Sequence, residues 1–286
     1  MELLVQPDDG IGPILAAIRK AKKRIDIHIF RLDRKEIEKA LADAVKRGVE
    51  VRTLIAHTNR GDEKSLRKLE LRLLKLGATV SRSADDLLRY HGKVMIVDGK
   101  QLYILAYNLT RSDIGRCRSL GIATRKRALV EEAQKVFDAD FDRKDYTGDS
   151  PALIVSPVNA RERITAFLRK AKRELLIYGN VTDNACIRVL QDRVKAGVVV
   201  RIIGRLEKGH EGLSAEKFPG KRMHLRAIVR DGRAAFLGSQ TLRRMELESR
   251  REIGVILKHP RVVKQIADVF ASDWAQTDAG KDEEAA

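Results

Sequence analysis

Two short stretches of the chain carry side chains suited to phosphate chemistry. One places His91 two residues before Lys93, and the other places His224 two residues before Arg226. Because side chains alternate along a strand, each histidine shares a face with its cation, about 7 Å away. An imidazole attacks phosphorus or carries a proton, and a cation balances charge on phosphate oxygens. Each stretch therefore predicts half of a phosphate-processing site.

An aspartate-glycine pair lies between two apolar runs in each stretch, and this pattern is the strongest short-range signal for a tight β-hairpin. The aspartates are Asp98 and Asp231. Asp98 comes seven positions after His91, an odd separation that directs it away from the histidine on a regular strand. We therefore predict that both aspartates serve the turns rather than the chemistry.

The chain consists of two copies of one unit. Residues 3–7 return as 153–157, and His91 and Asp98 return 133 positions later as His224 and Asp231. A period this long, repeated only twice, indicates duplicated domains rather than a solenoid. We assign the first repeat to residues 1–148 and the second to residues 149–276, with an acidic tail at 277–286 that is predicted to be disordered.

Strands and helices alternate within each copy, which predicts an α/β layered sheet. A short strand, an amphipathic helix, a buried strand, a second helix and a further strand precede the hairpin, and a last strand and a closing helix follow it. Only the first copy carries an additional helix, at 65–76. The corresponding segment, 207–222, is rich in glycine and charge and is predicted to be a loop.

Composition indicates an anionic partner, because the 286 residues carry a formal net charge of +17. The two cysteines, Cys117 and Cys186, lack metal-type spacing, so we expect reduced packing residues in a cytoplasmic protein. We find no signal peptide and no run of about 18 apolar residues, so no transmembrane segment is predicted. Contact with an anionic membrane would be peripheral.

The two stretches resemble the signature of the phospholipase D superfamily, which is His-x-Lys, four residues, Asp, six residues, then Gly-Ser-x-Asn. The resemblance covers nearly the whole chain, since that family is also built from two halves. It implies two duplicated α/β/α sandwich halves related by a pseudo-twofold axis, with the active site at their interface. One monomer would then be sufficient for a complete site.

The departures from this signature are complementary. The first copy keeps Asn108 but has leucine and alanine at 105–106, where the family has Gly-Ser. The second keeps Gly238 and Ser239 but has Arg226 for the lysine and Thr241 for the asparagine. The two copies together thus retain one full set of groups.

The family also tends to carry a carboxylate about 28 residues past the histidine. This position is Glu252 in the second copy and Ser119 in the first. If Glu252 reaches His224, it favours the imidazolium, so His224 suits the acid/base role and His91 the role of neutral nucleophile.

The resemblance implies that one histidine forms a phosphohistidine while the other transfers protons, without a metal or cofactor. The catalytic residues would be His91, Lys93, His224 and Arg226. Asn108, Ser239, Thr241 and Glu252 would bind or orient the substrate, and Asp98, Asp231 and Gly238 would be structural.

Three functions follow from the resemblance and the charge. The first is hydrolysis or phosphatidyl transfer at a phospholipid headgroup, which the resemblance alone favours. The second is a metal-independent nuclease, which suits the charge of +17. The third is a catalytically impaired module that binds anionic polymers or surfaces, since replacement of lysine by arginine is not conservative.

Four other histidines lie outside the two stretches. His28 is predicted to be a core or near-site residue on a buried strand, and His57 is predicted to lie near the cleft. His210 and His259 are predicted to face solvent. Phe141 and Trp274 occupy the same repeat position and are predicted to anchor the closing helices in the core.

Overall fold

Two β-sheets, one in each half of the chain, carry the candidate residues. The computed structural model describes residues 1–58, 63–148, 150–207, 211–220 and 222–285. The first half contains β1 (Glu2–Gln6), α1 (Gly12–Lys20), β2 (Arg24–Ile29), α2 (Lys35–Lys46), β3 (Glu50–Ile55), α3 (Glu63–Lys75), β4 (Thr79–Arg82), β5 (Arg89–Tyr90), β6 (Val94–Val97), β7 (Gln101–Leu105), α4 (Arg111–Gly115), β8 (Cys117–Thr124) and α5 (Arg127–Phe141).

The second half repeats this order, but its described residues contain no counterpart helix or strand for α3 and β4. It contains β9 (Leu153–Val155), α6 (Ala160–Arg169), β10 (Glu174–Val181), α7 (Asn184–Lys195), β11 (Val199–Leu206), β12 (Arg222–Met223), β13 (Ala227–Arg230), β14 (Ala234–Gly238), α8 (Arg244–Glu248), β15 (Arg250–Arg251), β16 (Ile253–Leu257), α9 (Pro260–Trp274) and α10 (Asp278–Ala285).

Apart from the edge strand β4 of the first sheet, the two sheets share one strand order, which confirms the predicted α/β fold of two similar halves. The first runs β1-β8-β7-β6-β2-β3-β4, and the second runs β9-β16-β14-β13-β10-β11. In each, a helical crossover joins two parallel strands, β2 to β3 or β10 to β11, and the predicted hairpin pairs β6 with β7 or β13 with β14.

Three apolar cores form the layers. One face of each sheet packs with α5 and α9 into a core that both halves share. The opposite face of the first sheet is covered by α1 and α2, and that of the second sheet by α6 and α7. The central core therefore joins the halves, and it includes the stacked rings of Phe270 and Trp274 and those of Phe137 and Phe141.

The halves also exchange short strands in a reciprocal manner. Strand β5 of the first half pairs in parallel with β15 of the second, and β12 of the second pairs in parallel with β8 of the first. The backbone N–H of His91 donates to the Arg251 carbonyl at 2.8 Å, and that of His224 donates to the Arg118 carbonyl at 3.0 Å. These contacts repeat at corresponding positions of the two copies, as a pseudo-twofold relation requires.

Two ion pairs cross the same boundary. Arg251 lies 3.0 Å from Asp140 of α5, and Arg118 lies 3.2 Å from Asp273 of α9. The first pair is almost fully buried, with exposed side-chain fractions of 6% and 1%. Arg251 also donates to the Ser156 carbonyl, so its charge has several partners in the interior.

Asp98 and Asp231 occupy equivalent hairpin turns with positive φ angles of 55° and 56°. The Asp98 carboxylate accepts hydrogen bonds from the backbone N–H groups of residues 22–24, and Asp231 does the same for residues 172–174. Both side chains thus bind the segment that connects the first helix of each half to the next strand.

The acidic C-terminal segment differs from the expected disordered tail, because it forms helix α10. The Thr277 hydroxyl accepts a hydrogen bond from the Gly280 N–H, which caps the start of the helix. Glu283 accepts from Arg201 at 2.9 Å and from the Trp274 indole at 3.2 Å. These contacts attach the segment to the second half. None of the helices in the described ranges has the length and apolar character needed to cross a membrane.

The buried pair of Arg251 and Asp140 provides a test of how the halves are joined. Removal of one partner leaves a buried charge uncompensated, so Arg251→Ala is expected to lower the free energy of unfolding by about 3–5 kcal/mol. The exposed pair of Arg127 and Glu131 is the control, and Arg127→Ala is expected to leave the free energy of unfolding almost unchanged. Urea denaturation measures both, and equal losses in the two variants would contradict the assigned role.

Candidate active site

The two His-x-cation segments meet where the halves exchange strands. His91 and Lys93 follow β5, and His224 and Arg226 follow β12. His91 and Lys93 are buried, with exposed fractions of 7% and 4%. Charges on Lys93 and Arg226 both act on the pKa values of both histidines. The four residues predicted to be catalytic therefore form one cluster.

His91 is held from three directions. Both Glu252 carboxylate oxygens lie 2.9 Å from its Nδ1. The Lys93 ammonium lies 3.2 Å from Nδ1 and 3.1 Å from Nε2, and therefore against the ring face, and it donates to the His91 carbonyl at 2.7 Å. The ring of Phe30 meets the imidazole edge-on, with centroids 4.4 Å apart. The imidazole is thus fixed in orientation between a carboxylate and an ammonium.

The hypothesis that Glu252 reaches His224 is wrong, because the structure pairs Glu252 with His91 of the other half. The strand exchange explains this. Since β15 lies parallel to β5, with Arg251 opposite Tyr90, the residue after β15 lies beside the residue after β5. The carboxylate that lies 28 residues past His224 therefore pairs with the histidine of the other copy.

His224 has a different carboxylate partner, which the sequence did not identify. Its Nδ1 lies 2.8 Å from Asp113, at the first turn of α4. Asp113 also accepts hydrogen bonds from the backbone N–H of Asn108 at 2.9 Å and from its side-chain amide at 2.8 Å. Ser119, at the position where the family tends to carry a carboxylate, donates its hydroxyl to the His224 carbonyl instead.

Glu246 is the counterpart of Asp113 in the second half. It accepts hydrogen bonds from the backbone N–H and the hydroxyl of Thr241, both at 2.7 Å. An acid stands five residues after Asn108 and five after Thr241, and this matched spacing is the signal that could have identified both carboxylates. The backbone N–H and the side chain of Asn108 therefore orient Asp113, and those of Thr241 orient Glu246.

The replacements of the family's lysine and Gly-Ser residues contact each other. The Arg226 guanidinium donates to the Ala106 carbonyl at 3.1 Å, and its Nε lies 4.0 Å from Glu246. In the second half the equivalent of Ala106 is Ser239, whose hydroxyl accepts from the Ile253 N–H. The longer arginine thus reaches across the interface to Ala106, which lacks the hydroxyl of its equivalent Ser239.

His28 lies behind the cluster, which explains the glycine between His91 and Lys93. A Cβ on Gly92 would lie 2.7 Å from His28 Nδ1 and 3.2 Å from Ile253 Cδ1. Burial, aided by the charges of Lys93 and His91, lowers the pKa of His28 to about 3, so this imidazole is neutral.

The structure describes two of the remaining three histidines. His57 is half-buried and donates its backbone N–H to the Ser83 hydroxyl. His259 is exposed at the start of α9, whereas His210 lies outside the described residues. The glycine predicted to be structural, Gly238, has backbone atoms of residues 253 and 254 within 3 Å of a built Cβ, so a side chain does not fit there.

Burial dominates the electrostatics of the cluster. It lowers the pKa of His91 well below the ordinary value, and Lys93 and Arg226 lower it further. Burial also lowers the pKa of His224, but the hydrogen bond with Asp113 opposes that shift. The pKa of Lys93 falls to about 7 through burial, although Glu252 raises it. Of the two histidines, His224 therefore retains a proton more readily.

A protein-family comparison bears on this cluster. The family model described as "Cardiolipin synthase, PLD-like domain" matches residues 14–141 and 164–274, which is most of the chain. The chain belongs to the phospholipase D superfamily. This match confirms the superfamily assignment that the two motifs predicted. A comparison with curated proteins gives no match.

Two solved structures resemble this phospholipase D-like chain over 94% of its length. A polyphosphate kinase from Porphyromonas gingivalis has a TM-score of 0.77 at 18% identity, with 49% of that chain covered. A phosphatidylserine synthase from Haemophilus influenzae Rd KW20 has a TM-score of 0.71 at 13% identity, with 84% of that chain covered. The present chain thus spans about half the length of the kinase, and these likenesses establish the fold.

In the described part of the chain, no group of three or more His, Cys, Asp or Glu residues is arranged to hold a metal ion. The carboxylates of the cluster instead bind imidazole and amide groups, as described above.

Gly92→Ala tests the packing behind the cluster. Its methyl group would collide with His28, so we expect a loss of about 1–3 kcal/mol in the free energy of unfolding. The collision is absent in a His28→Ala background, where the same substitution is expected to cost less than about 0.5 kcal/mol. Gly12→Ala is the control, since no atom lies within 4 Å of its built Cβ. Chemical denaturation gives all three values, and equal losses in the two backgrounds would refute the contact.

Proposed function

We propose that this chain cleaves or transfers phosphodiesters through a phosphohistidine formed on His91. The main support is the pairing of each histidine Nδ1 with a buried carboxylate, Glu252 or Asp113. Such a pairing fixes the tautomer and directs the Nε2 lone pair outward. Two imidazoles oriented in this way, beside two cations, constitute the groups that the reaction needs.

The unequal pKa values support the assignment of roles. His91 is the more strongly depressed of the two, so it is neutral and nucleophilic at neutral pH. His224 is the less deeply buried of the two histidines, and its hydrogen bond with Asp113 opposes the effect of burial on its pKa, so it suits the acid/base role. Each histidine has a carboxylate partner, so burial and the Lys93 contact of His91 distinguish the roles expected from the sequence.

The reaction then has two steps. Nε2 of His91 attacks phosphorus as the bond to the leaving oxygen breaks, and the His224 imidazolium gives its proton to that oxygen. Neutral His224 next takes a proton from water or an alcohol, whose oxygen attacks phosphorus and breaks the N–P bond. His91 returns to its neutral form and His224 to its protonated form, so both steps balance.

Two cations would stabilise the charge that develops on the nonbridging oxygens. Lys93 lies next to the nucleophilic ring, and Arg226 acts on both histidines from the other half. Preorganised charges in a site largely removed from water are worth more than the same charges in solvent. The proposal requires that Lys93 be protonated when substrate binds.

A phospholipid headgroup is the substrate that the family match favours, because the matching model is that of a cardiolipin synthase domain. A phosphatidylserine synthase is also among the similar structures. The nuclease alternative is supported by the net charge of +17, which suits a polyanion. A module that only binds anions is the third candidate, motivated by Arg226.

A turnover and trapping experiment separates these candidates. Phosphatidylglycerol vesicles, single-stranded DNA, RNA and a chromogenic phosphodiester are each incubated with the protein in EDTA. We expect turnover of one class, and a rapid acid quench should leave labelled phosphate on His91. His91→Ala is expected to remove the adduct and to lower turnover by at least about 10³-fold.

The control is His224→Asn, which lacks the acid of the first step and the base of the second. With the chromogenic phosphodiester, whose leaving group departs without protonation, the adduct is expected to form on His91 and to accumulate. Phosphate found on His224 would reverse the assigned roles. Absence of turnover on all four substrates, with anion binding retained, would support the non-catalytic module instead.

The pH dependence tests the role of Lys93. Since its pKa is about 7, the ammonium is present below that pH and is lost above it. His224 also loses its proton as the pH rises, so log kcat/KM is expected to fall with a slope of about −2 on the alkaline side. In Lys93→Arg the guanidinium stays charged, so the slope is expected to approach about −1. An unchanged slope in this variant would exclude Lys93 as a titrating group.

A further inference from the structure

A largely buried arginine that the mechanism does not use lies between two carboxylates of the cluster. Nη1 of Arg250 is 3.5 Å from Oε1 of Glu246 and 3.8 Å from Oε1 of Glu252, and its side chain is 13% exposed. Within the described part of the chain, its Nε has no hydrogen-bond partner. Arg250 therefore interacts by charge with the acid that orients His91.

Glu252 needs a nearby cation because it is fully buried. Burial raises the pKa of its carboxyl group, whereas the charges of Lys93, Arg226 and Arg250 oppose that shift. Among the lysines and arginines that the structure describes, Arg250 alone comes within 4 Å of this carboxylate. Since Lys93 and Arg226 are the cations proposed to stabilise the substrate phosphate, Arg250 is the cation that remains for Glu252 in the substrate complex.

The charge of Glu252 decides which nitrogen of His91 carries the proton. An ionised carboxylate only accepts hydrogen bonds, so the neutral imidazole keeps its proton on Nδ1 and its lone pair on Nε2. A protonated carboxyl group donates to Nδ1 instead, so the ring proton is then on Nε2. In that state Glu252 has gained one proton from solvent, the ring still holds one, and Nε2 cannot attack phosphorus.

The first half provides an internal comparison. The equivalents of Arg250 and Glu252, 133 positions earlier, are Cys117 and Ser119, and neither is an acid–base pair of this kind. The strand pairings support the correspondence, because the residues at 117 and 250 each lie opposite the residue two positions before a catalytic histidine. One half therefore carries the acid and the cation together and the other half carries neither, as expected if the cation is present for the acid.

Glu246 holds the other side of the Arg250 guanidinium. Oε2 of Glu246 accepts from the backbone N–H and the hydroxyl of Thr241, both at 2.7 Å. Oε1 lies 3.5 Å from Arg250 and 3.6 Å from Arg243, which is 37% exposed. Because Thr241 fixes this carboxylate, Glu246 keeps the guanidinium of Arg250 next to Glu252.

We infer that Arg250 is a positioning residue, which keeps Glu252 ionised and thereby keeps the Nε2 lone pair of His91 available for attack on phosphorus. This inference rests on the nucleophilic role of His91 proposed above. Arg250 acts through Glu252 rather than on the phosphate. An arginine suits this task because its guanidinium is not deprotonated in proteins, whereas the pKa of Lys93 falls to about 7.

The first arm of the test reads the His91 tautomer by nitrogen NMR of the full chain with isotope-labelled histidines, at neutral pH and without substrate. We expect the proton on Nδ1 in the wild type and in Arg250→Lys, which keeps the charge, and on Nε2 in Arg250→Met. Arg243→Met is the matched control, because it removes a cation beside Glu246 but none beside Glu252. The control is expected to keep the wild-type tautomer.

The second arm is a double-mutant cycle that tests whether Arg250 acts through Glu252. Turnover of the chromogenic phosphodiester is measured, and Arg250→Met is expected to lower kcat/KM at least about tenfold in the otherwise wild-type chain. In the Glu252→Gln background the same substitution is expected to lower it less than about threefold. Arg243→Met is expected to lower it less than about twofold in either background.

Urea denaturation establishes that each variant is folded, and Arg250→Cys, which introduces the side chain found at 117, replaces Arg250→Met if that variant is not. A wild-type tautomer in the folded neutral variant, a changed tautomer in Arg250→Lys, or additive losses in the cycle would each overturn the inference. Equal effects of Arg243→Met and Arg250→Met would also overturn it.

The tautomer is read in the free protein. Absence of turnover in the wild type would therefore count against the catalytic proposal, while the response of the His91 tautomer to the Arg250 variants still decides the role of Arg250.

Discussion

The reciprocal exchange of two-residue strands is the constraint on which the candidate site depends. Strand β15 lies beside β5 and β12 beside β8, and each histidine donates its backbone N–H to a carbonyl of the opposite half. Because this pairing fixes register, Glu252 lies beside His91 and not beside the histidine of its own copy. The shared core and the buried ion pair of Arg251 with Asp140 hold the same boundary. The contacts that stabilise the interface therefore also assemble the site.

The cluster brings positively and negatively charged side chains together in a largely buried site. Lys93, Arg226, Glu252, Asp113 and Glu246 all lie within it, and most of their polar atoms are paired. Burial lowers the pKa of both histidines and of Lys93 and raises that of Glu252, whereas hydrogen bonds with His224 and Asn108 hold the pKa of Asp113 below its ordinary value. Each imidazole has a carboxylate partner, but His91 is the more deeply buried and lies against the Lys93 ammonium. Burial and this cation contact therefore lower the pKa of His91 more than that of His224.

Duplication also left each half free to change where it does not face the other. The first half contains α3, which has no counterpart among the described residues of the second, and the second half places Arg230 over the Phe167 ring where the first has Val97 and Ala17. At the interface itself the changes are coupled, since Arg226 reaches the Ala106 carbonyl across the boundary. The parts that remain alike are those that both halves need, such as the turn aspartates Asp98 and Asp231, which bind three consecutive backbone N–H groups.

The sequence by itself determined the duplicated α/β fold, the two His-x-cation segments and the superfamily, because local patterns and spacing within each copy carry that information. It did not determine which groups meet across the boundary. Glu252 was paired with the wrong histidine, Asp113 and Glu246 were missed, and the acidic tail was expected to be disordered, although α10 attaches to Arg201 and Trp274. The pairings of Glu252 with His91 and of Asp113 with His224 join residues far apart in the chain and in opposite halves. Only the packing of the two halves decides these pairings, since the register between β5 and β15 has no signature within either copy.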